Sequence, residues 1–373
     1  MGVIPEDWRL EKFVDVTDLI TCGLAATPTY VSNLTGYPFL SSTNVKNGRV
    51  IWSNFKHIAS DLHRRLYKNN PPLKGDILYS RVGTIGEAAV IEESIEFSIY
   101  VSLTLIKPKS LINHYYLMHL LNSEPYKQRA YDQVYLGGGV GNLNVDVVRS
   151  YPIVFPPNIS EQEAIAEALS DADALIEGLE QLITKKRQLK QGAMQELLNP
   201  ESDWSNYRIG DLLRVAHGKS QHDVTDPNGE YPILATGGQI GWAKHYLYNK
   251  PSVLIGRKGT IDRPQYMDEP FWTVDTLFYS EVYQPNNAKY LFYQFCLIDW
   301  KQYNEASGVP SLNARTIESI ELKAPSPEKQ TNIATILSDM DAEIRGLEQK
   351  LAKARLVKQG MMQELLTGKT RLV

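Results

Sequence analysis

Arginine, lysine and threonine on glycine turns are side chains that reach phosphates and base edges, and this sequence sets them out twice. The first turn is SRVGT, with Arg81 and Thr84; the second is GRKGT, with Arg257, Lys258 and Thr260. A guanidinium fork suits guanine edges or phosphate oxygens, and a hydroxyl suits phosphate. The competing reading is a structural turn in which glycine supplies positive φ and the arginine pairs with a carboxylate. A feature shared by both turns does not encode what differs between them, so structure or backbone contact is favoured over base readout.

Discrimination between bases is expected where the surroundings of the two turns diverge. STNVKNGRV offers Asn44, Lys46, Asn47 and Arg49, and ATGGQIGW offers Gln239 and Trp242. Asn142, Ser307 and Asn313 lie in the next loops to consider. All are also common loop residues.

Catalytic motifs fare worse. NNPPL at Asn69 resembles the Asn-Pro-Pro-aromatic signature of adenine methyltransferases, but Leu73 replaces the aromatic that would stack on a flipped base, and no glycine-rich cofactor loop precedes it. A proline turn is the better reading. HGKS at His217 has Leu213 where a phosphate loop needs glycine, and the carboxylate of ELK at Glu321 sits in an alternating run ending at Pro325. GGGVGN from Gly137 lacks the strand-then-helix setting of a dinucleotide site. The seven histidines show no metal-ligand spacing, and Cys22 and Cys296 are too few and too far apart for a disulfide framework.

These turns must be carried by something, and the sequence repeats itself to do so. With an offset of 168, Gln162 to Leu198 matches Gln330 to Leu366 at 23 of 37 positions without a gap. Apolar residues step by fours and threes in both copies, as in Ile165, Leu169, Ala172, Ile176 and Ile333, Leu337, Met340, Ile344. That is the seam of a coiled coil, interrupted by Lys186, Lys190 and Lys358. Ser160 and Glu163 are spaced as a capping box for the first helix, which stops at Asn199 and Pro200; Ser326 caps the second, Pro327 opens it and Gly368 ends it. Gly192 and Gly360 inside the helices imply close approach of another helix.

The segments between also echo each other: YPFL and YPIL, DILYSRVGTIG and SVLIGRKGTID, GGVGNLN and SGVPSLN. Short runs such as DILYS, SLTLI, YPIVF, SVLIG and IELKA predict strands, while NHYYLMHLLNSEPYKQRAY and NAKYLFYQFCLIDWKQYN each predict one helix. The expected class is α+β: two α/β domains at 1–157 and 201–325, separated by helices at 158–200 and 326–373, packed as an antiparallel coiled coil with pseudo-two-fold symmetry. The tail LLTGKTRLV would then return near the N-terminus.

A chain of 373 residues with 43% hydrophobic and 22% charged residues has room for two ordinary soluble domains. No apolar run reaches membrane-spanning length and MGVIPEDWRL lacks signal-peptide order, so a cytoplasmic protein is expected. Net charges of +1, −4, −3 and +2 for 1–155, 156–200, 201–325 and 326–373 describe no basic module. Because phosphate neutralisation dominates DNA affinity, such a chain alone should bind duplex weakly.

The ordered set IPEDW, GDILYSRVGTIG, PPNISEQEAIAEALSDAD and KQGMMQELLTGKTRL resembles the specificity (S) subunit of type I restriction and modification systems, across essentially the whole chain. The resemblance implies two target-recognition domains and two spacer helices, with double-stranded DNA, two modification (methyltransferase) subunits and restriction (translocase/nuclease) subunits as partners. It implies no catalysis and no cofactor in this chain; S-adenosylmethionine would belong to the modification subunit, and ATP and magnesium to the restriction subunit. Two related readers turned by a two-fold axis would address a bipartite, asymmetric site. The alternatives are a specificity subunit serving a fused methyltransferase-nuclease, or a coiled-coil scaffold without recognition.

Overall fold

In the computed structural model, residues 4–135 and 141–372 are described. The chain forms two compact units: Met1–Glu180 with Lys350–Val373, and Gln181–Gln349.

The first unit is built on a six-stranded sheet in the order Thr17–Cys22, Leu103–Pro108, Ile77–Ser80, Ala88–Val90, Gly48–Val50, Val45–Lys46. Its pairs are antiparallel except Gly48–Val50 with Ala88–Val90. The runs ILYS and AAV are buried throughout, as expected of strands covered on both faces. A three-stranded sheet places Gly36–Leu40 between Lys56–Ala59 and Ser98–Ile99. Arg9–Lys12 pairs with Pro152–Phe155, tying the start of the chain to the segment that enters the first long helix.

The second unit follows a similar plan. An antiparallel sheet runs Leu213–His217, Leu277–Val282, Ser252–Gly256, Gln265–Met267, and a smaller sheet places Tyr231–Ala235 between Gly238–Ala243 and Trp272–Thr273. Ser205–Arg208 pairs with Glu321–Ala324 as Arg9–Lys12 does with Pro152–Phe155. On the edge where the first unit has Lys56–Ala59 followed by helix Ser60–Asn69, the second has the hairpin strand Gly238–Ala243.

The two long helices are Ile159–Leu197 and Pro327–Leu365, each of 39 residues. Their apolar positions enter the cores of the units: Ile165, Leu169, Leu365 and Leu366 pack with Phe13, Tyr116 and Ile153 in one, and Met194, Leu198, Ile333 and Leu337 with Trp204, Leu291 and Ile317 in the other. In the first unit Asp173 pairs with Lys358 and Glu180 with Arg355, both at 2.5 Å; in the second Lys190 pairs with Asp341 at 2.5 Å and Arg187 with Glu348 at 2.6 Å. Within each unit residue number rises along one helix as it falls along the other. In the first unit the tail meets the start of the chain: Arg371 donates to both Asp7 oxygens at 3.0 and 2.9 Å and to buried Glu161 at 2.8 Å, while Gly368 packs against Pro5 and Trp8.

Local expectations needed correction. Asn158, not Ser160, caps the first long helix, its Oδ1 accepting from Ser160 N at 3.0 Å. Ser326 does cap the second, accepting from Lys329 N at 3.4 Å, with Pro327 in the first position. NHYYLMHLLNSEPYKQRAY makes two helices, His114–Leu121 and Glu124–Asp132, because Asn122 and Ser123 intervene and Pro125 starts a new helix. Ala288–Leu297 is likewise followed by a separate short turn, Trp300–Tyr303. Among the described residues a Cβ at Gly192 or Gly360 would meet nothing within 4 Å, so the expected close approach of a second helix is not what explains them.

Candidate nucleic-acid interface

The two arginine turns have the same backbone wiring. Arg81 N donates to Ser102 O at 2.9 Å and Leu143 N donates to Arg81 O at 2.9 Å; Arg257 N donates to Thr276 O at 2.8 Å and Leu312 N to Arg257 O at 2.9 Å. Each guanidinium Nη1 reaches a carbonyl at 3.2 Å, Val101 from Arg81 and Asp275 from Arg257. Arg81 is more deeply committed, with Nε to Leu143 O at 2.8 Å and Nη2 to Asn142 Oδ1 at 2.9 Å, and is 7% exposed. These arginines brace turns by holding carbonyls rather than the carboxylate the sequence suggested. Gly83 and Gly259 take positive φ, 80° and 90°, as such turns require. At Gly256 a Cβ would lie 2.0 Å from Thr260 O, so the backbone of the second turn closes on itself there.

The LN dipeptides complete the arrangement. Leu143 and Leu312 are buried, and Asn144 and Asn313 cap the helices that follow, accepting from Asp146 N and Arg315 N at 3.0 Å. Buried leucine plus cap holds the preceding loop beside the arginine turn. Asn142 bridges to Val82 and Tyr135 in the first unit; in the second Ser311 bridges to Lys258, and Pro310 O accepts from Gly259 N at 2.9 Å. A third loop joins from the end of the YPFL or YPIL strand: Thr84 Oγ1 donates to Ser42 O at 3.3 Å, and the Cβ position of Gly259 lies 3.8 Å from Thr236 Oγ1. Each unit thus gathers three loops in one place.

The expected readers distribute unevenly over this cluster. Thr84, Lys258 and Ser307 are exposed on it, Arg257 and Thr260 are half-buried within it, and Gln239 and Trp242 are exposed on the adjoining hairpin strand. Asn44 does not present its amide to solvent: it is 1% exposed, accepts from Ser41 N at 3.1 Å and donates to Ile51 O and Ser53 O at 3.0 Å. Lys46, Asn47 and Arg49 form a tight hairpin whose Asn47 and Gly48 have φ of 52° and 79°. That hairpin turns toward the long helix, where Arg49 pairs with Glu177 at 2.8 Å and a hollow is walled by Asn47, Asp173 and Glu177. Sequence reasoning passed over Thr43, Tyr135, Thr236 and Val309; Tyr135 is 76% and Val309 66% exposed. The pairing of GGVGNLN with SGVPSLN marks the loop that carries Val309, though not that residue. GGGVGN begins at Gly137, and 137–140 lie outside the described residues.

The residues of the other motifs sit in structural contacts. Burial pushes the Asp76 carboxyl up against the opposing pull of Lys107, with which it pairs. The Pro71 carbonyl accepts from that lysine at 2.8 Å and Leu73 N donates to Asp76, so NNPPL is a braced turn. His217 lies edge-on to Phe278 in its strand, and Glu321 pairs with Arg208 across an antiparallel ladder. Among the described residues no group of three or more His, Cys, Asp or Glu is placed to hold a metal, and no helix is long and apolar enough to cross a membrane.

The family model for the type I restriction modification DNA specificity domain matches residues 5–190 and 201–355. The chain belongs to that family. Its two matched stretches are the two copies of the specificity domain, each a mixed α/β domain continued into a long helix. The specificity chain is 25% identical to the putative type I restriction enzyme MjaX specificity subunit of Methanocaldococcus jannaschii, over 100% of this chain and 96% of that one. It is 26% identical to the type I restriction enzyme EcoprrI specificity subunit of Escherichia coli, over 36% of this chain and 35% of that protein. The fold is shared with a type I restriction-modification S subunit from M. genitalium, at a TM-score of 0.70 and 15% identity over 98% of this chain and 97% of that one.

Proposed function

We infer that this specificity chain reads a bipartite, asymmetric DNA site without catalysing any reaction itself. The observation that carries the inference is the loop cluster built twice, on the same arginine brace and the same LN anchor but with different exposed residues. Shared wiring positions; divergent side chains discriminate. In the first domain, 1–157, the readers are Thr43, Thr84, Tyr135 and Asn142, and in the second, 201–325, Thr236, Gln239, Trp242, Lys258, Thr260 and Ser307. Asn44, Arg81 and Arg257 serve the scaffold, and Lys46, Asn47 and Arg49 face the long helix.

The helices at 158–200 and 326–373 act as an antiparallel coiled-coil spacer with pseudo-two-fold symmetry. Ion pairs related by the 168-residue repeat support this, since Asp173–Lys358 and Glu180–Arg355 become Asp341–Lys190 and Glu348–Arg187 when each residue is exchanged for its repeat image. The same helices dock two modification subunits, and through them restriction subunits. Support comes from two grooves lined by repeat-equivalent residues: Arg355, Lys358, Gln359 and Met362 beside one of about 650 Å³, Arg187, Lys190, Gln191 and Met194 beside one of about 370 Å³. Gly192 and Gly360 next to them leave room for a partner's side chains. The complex works in the cytoplasm, where its DNA is.

Sequencing methylated bases in DNA exposed to chain plus modification subunits tests this. Two short constant elements at fixed spacing are expected, and replacing residues 201–325 by the matching domain of another family member should alter one element alone. A motif altered in both elements contradicts independent reading.

A further inference from the structure

The helices His114–Leu121 and Ala288–Leu297 each lay one buried polar side chain against the long helices of their own unit. In the first it is His119, 1% exposed, with Nε2 3.0 Å from Ser170 Oγ and Nδ1 facing Asp173 Oδ2 at 3.9 Å. Asp173 Oδ1 accepts from Lys358 Nζ at 2.5 Å. In the second it is Tyr293, 0% exposed, whose hydroxyl donates to Asp341 Oδ2 at 2.7 Å and lies 3.4 Å from Ser338 Oγ. Asp341 Oδ1 accepts from Lys190 Nζ at 2.5 Å. Adding 168 to Ser170, Asp173 and Lys190 gives Ser338, Asp341 and Lys358, so the long-helix residues of one node are the repeat images of those of the other.

Long helices that repeat their serine, aspartate and lysine, facing domains that bring two different side chains, have the form of one socket filled by two keys. Both keys are chemically suited to it. The phenol donates to a carboxylate already held by lysine, which leaves that half-buried charge with two donors. The imidazole is neutral, since burial and then Lys358 push its pKa down to about 3, and it meets the serine hydroxyl without adding a charge. Each key helix also touches a strand that flanks an arginine turn, the one before it in the second unit and the one after it in the first. Ala288–Leu297 packs on Ser252–Gly256, which leads into Arg257; His114–Leu121 packs on Ala88–Val90, just beyond the Arg81 turn, and Asn122 donates to Ala88 O at 2.9 Å. Through these contacts a change of angle at the socket would reach the loop cluster.

We propose that Ser170, Asp173 and Lys358, and equally Ser338, Asp341 and Lys190, are positioning sites that fix the angle at which each recognition domain presents its loops to its half-site. This rests on the reading of the chain as a reader of DNA sequence. It assigns His119 and Tyr293 a role in specificity although both are buried against the long helices.

Tyr293→Phe removes the key's hydroxyl and keeps its ring, while Tyr293→His supplies the key used by the first unit. With modification subunits present, methylation rates on DNA carrying single-base changes in either half are compared. Tyr293→Phe is expected to lose about tenfold in discrimination within the half read by 201–325 and nothing in the other, and Tyr293→His to recover to within about threefold of wild type. Wild-type discrimination in both halves, or equal loss in both, overturns the proposal. Amide hydrogen exchange of the chain alone gives a second readout: Tyr293→Phe should speed exchange about fivefold across 288–297 and 252–256 and leave 114–121 unchanged. Unchanged exchange at 288–297 overturns the socket whatever the methylation result. A wild-type complex that methylates no defined site contradicts instead the sequence-reading function, and the socket is then decided by exchange.

Discussion

Lys358 and Asp173 meet at 2.5 Å although 185 residues separate them in the chain, and the contact recurs between their repeat images, Lys190 and Asp341, at the same distance. In each pair the two side chains are roughly a fifth to a quarter exposed, so they are neither freely solvated nor fully desolvated. Each lysine breaks an apolar seam and finds its carboxylate on the opposite helix. The interruptions are thus a register device, because a shift of either helix would strand a partly buried charge.

Lys358→Met should therefore destabilise the first unit by about 1–3 kcal/mol despite adding apolar surface, since it leaves Asp173 unpaired. Adding Asp173→Leu should recover most of that loss. A double-mutant cycle by denaturant unfolding checks both; a single substitution without effect would mean the pair does not set register.

Arg81→Met should cost about 3 kcal/mol in the first unit, because three carbonyl-type acceptors lose a buried charged donor. Arg257→Met, which removes one bond from a half-buried site, should cost under about 1 kcal/mol. Urea titration of the two variants checks the difference, and equal losses would contradict the unequal bracing.

The first unit should lose stability in mild acid through His119. Its folded pKa lies near 3 against an ordinary 6.5, so the folded state refuses a proton the unfolded chain accepts. Stability from this group is complete above pH 6.5 and is lost as pH falls toward 3. The expected loss is about 2 kcal/mol between pH 6.5 and 5 in wild type, absent in His119→Gln. Parallel pH slopes for the two proteins would contradict it.

How much of this the sequence disclosed depended on the range of the forces involved. The long helices were legible because seam and repeat extend over dozens of residues, and the strands ILYS, SVLIG and YPIVF because their apolar runs are bounded by turns. Helix ends were less so, since Asn158 and Ser160 are both good caps and only the approach of the chain chooses between them. At the candidate site, the turn doubled in sequence has the same backbone wiring in both units, with carbonyls where a carboxylate was expected. What local pattern did not reveal was which polar loop side chains are already used: Asn44 and Asn47 look alike in sequence, yet one is spent on Ile51 and Ser53 and the other tops a hairpin.

The isolated chain, with a formal net charge of −4, should bind duplex DNA weakly and with little sequence preference. Modification subunits should bring tight binding that falls steeply with salt. Titration at physiological ionic strength checks this, and tight specific binding by the chain alone would contradict it.

Two equivalent readers keyed to a repeated pair of helices are the core of this picture, and a fragment ending near Asn199 tests that most directly. It retains one reader and one long helix, and the exposed seam should pair with that of a second copy. Light scattering should give the mass of a dimer, and sequencing of DNA treated with this dimer and modification subunits should show methylation at a palindrome repeating the half-site of residues 1–157. A monomer, or a dimer that methylates a non-palindromic site, would contradict the equivalence of the two halves.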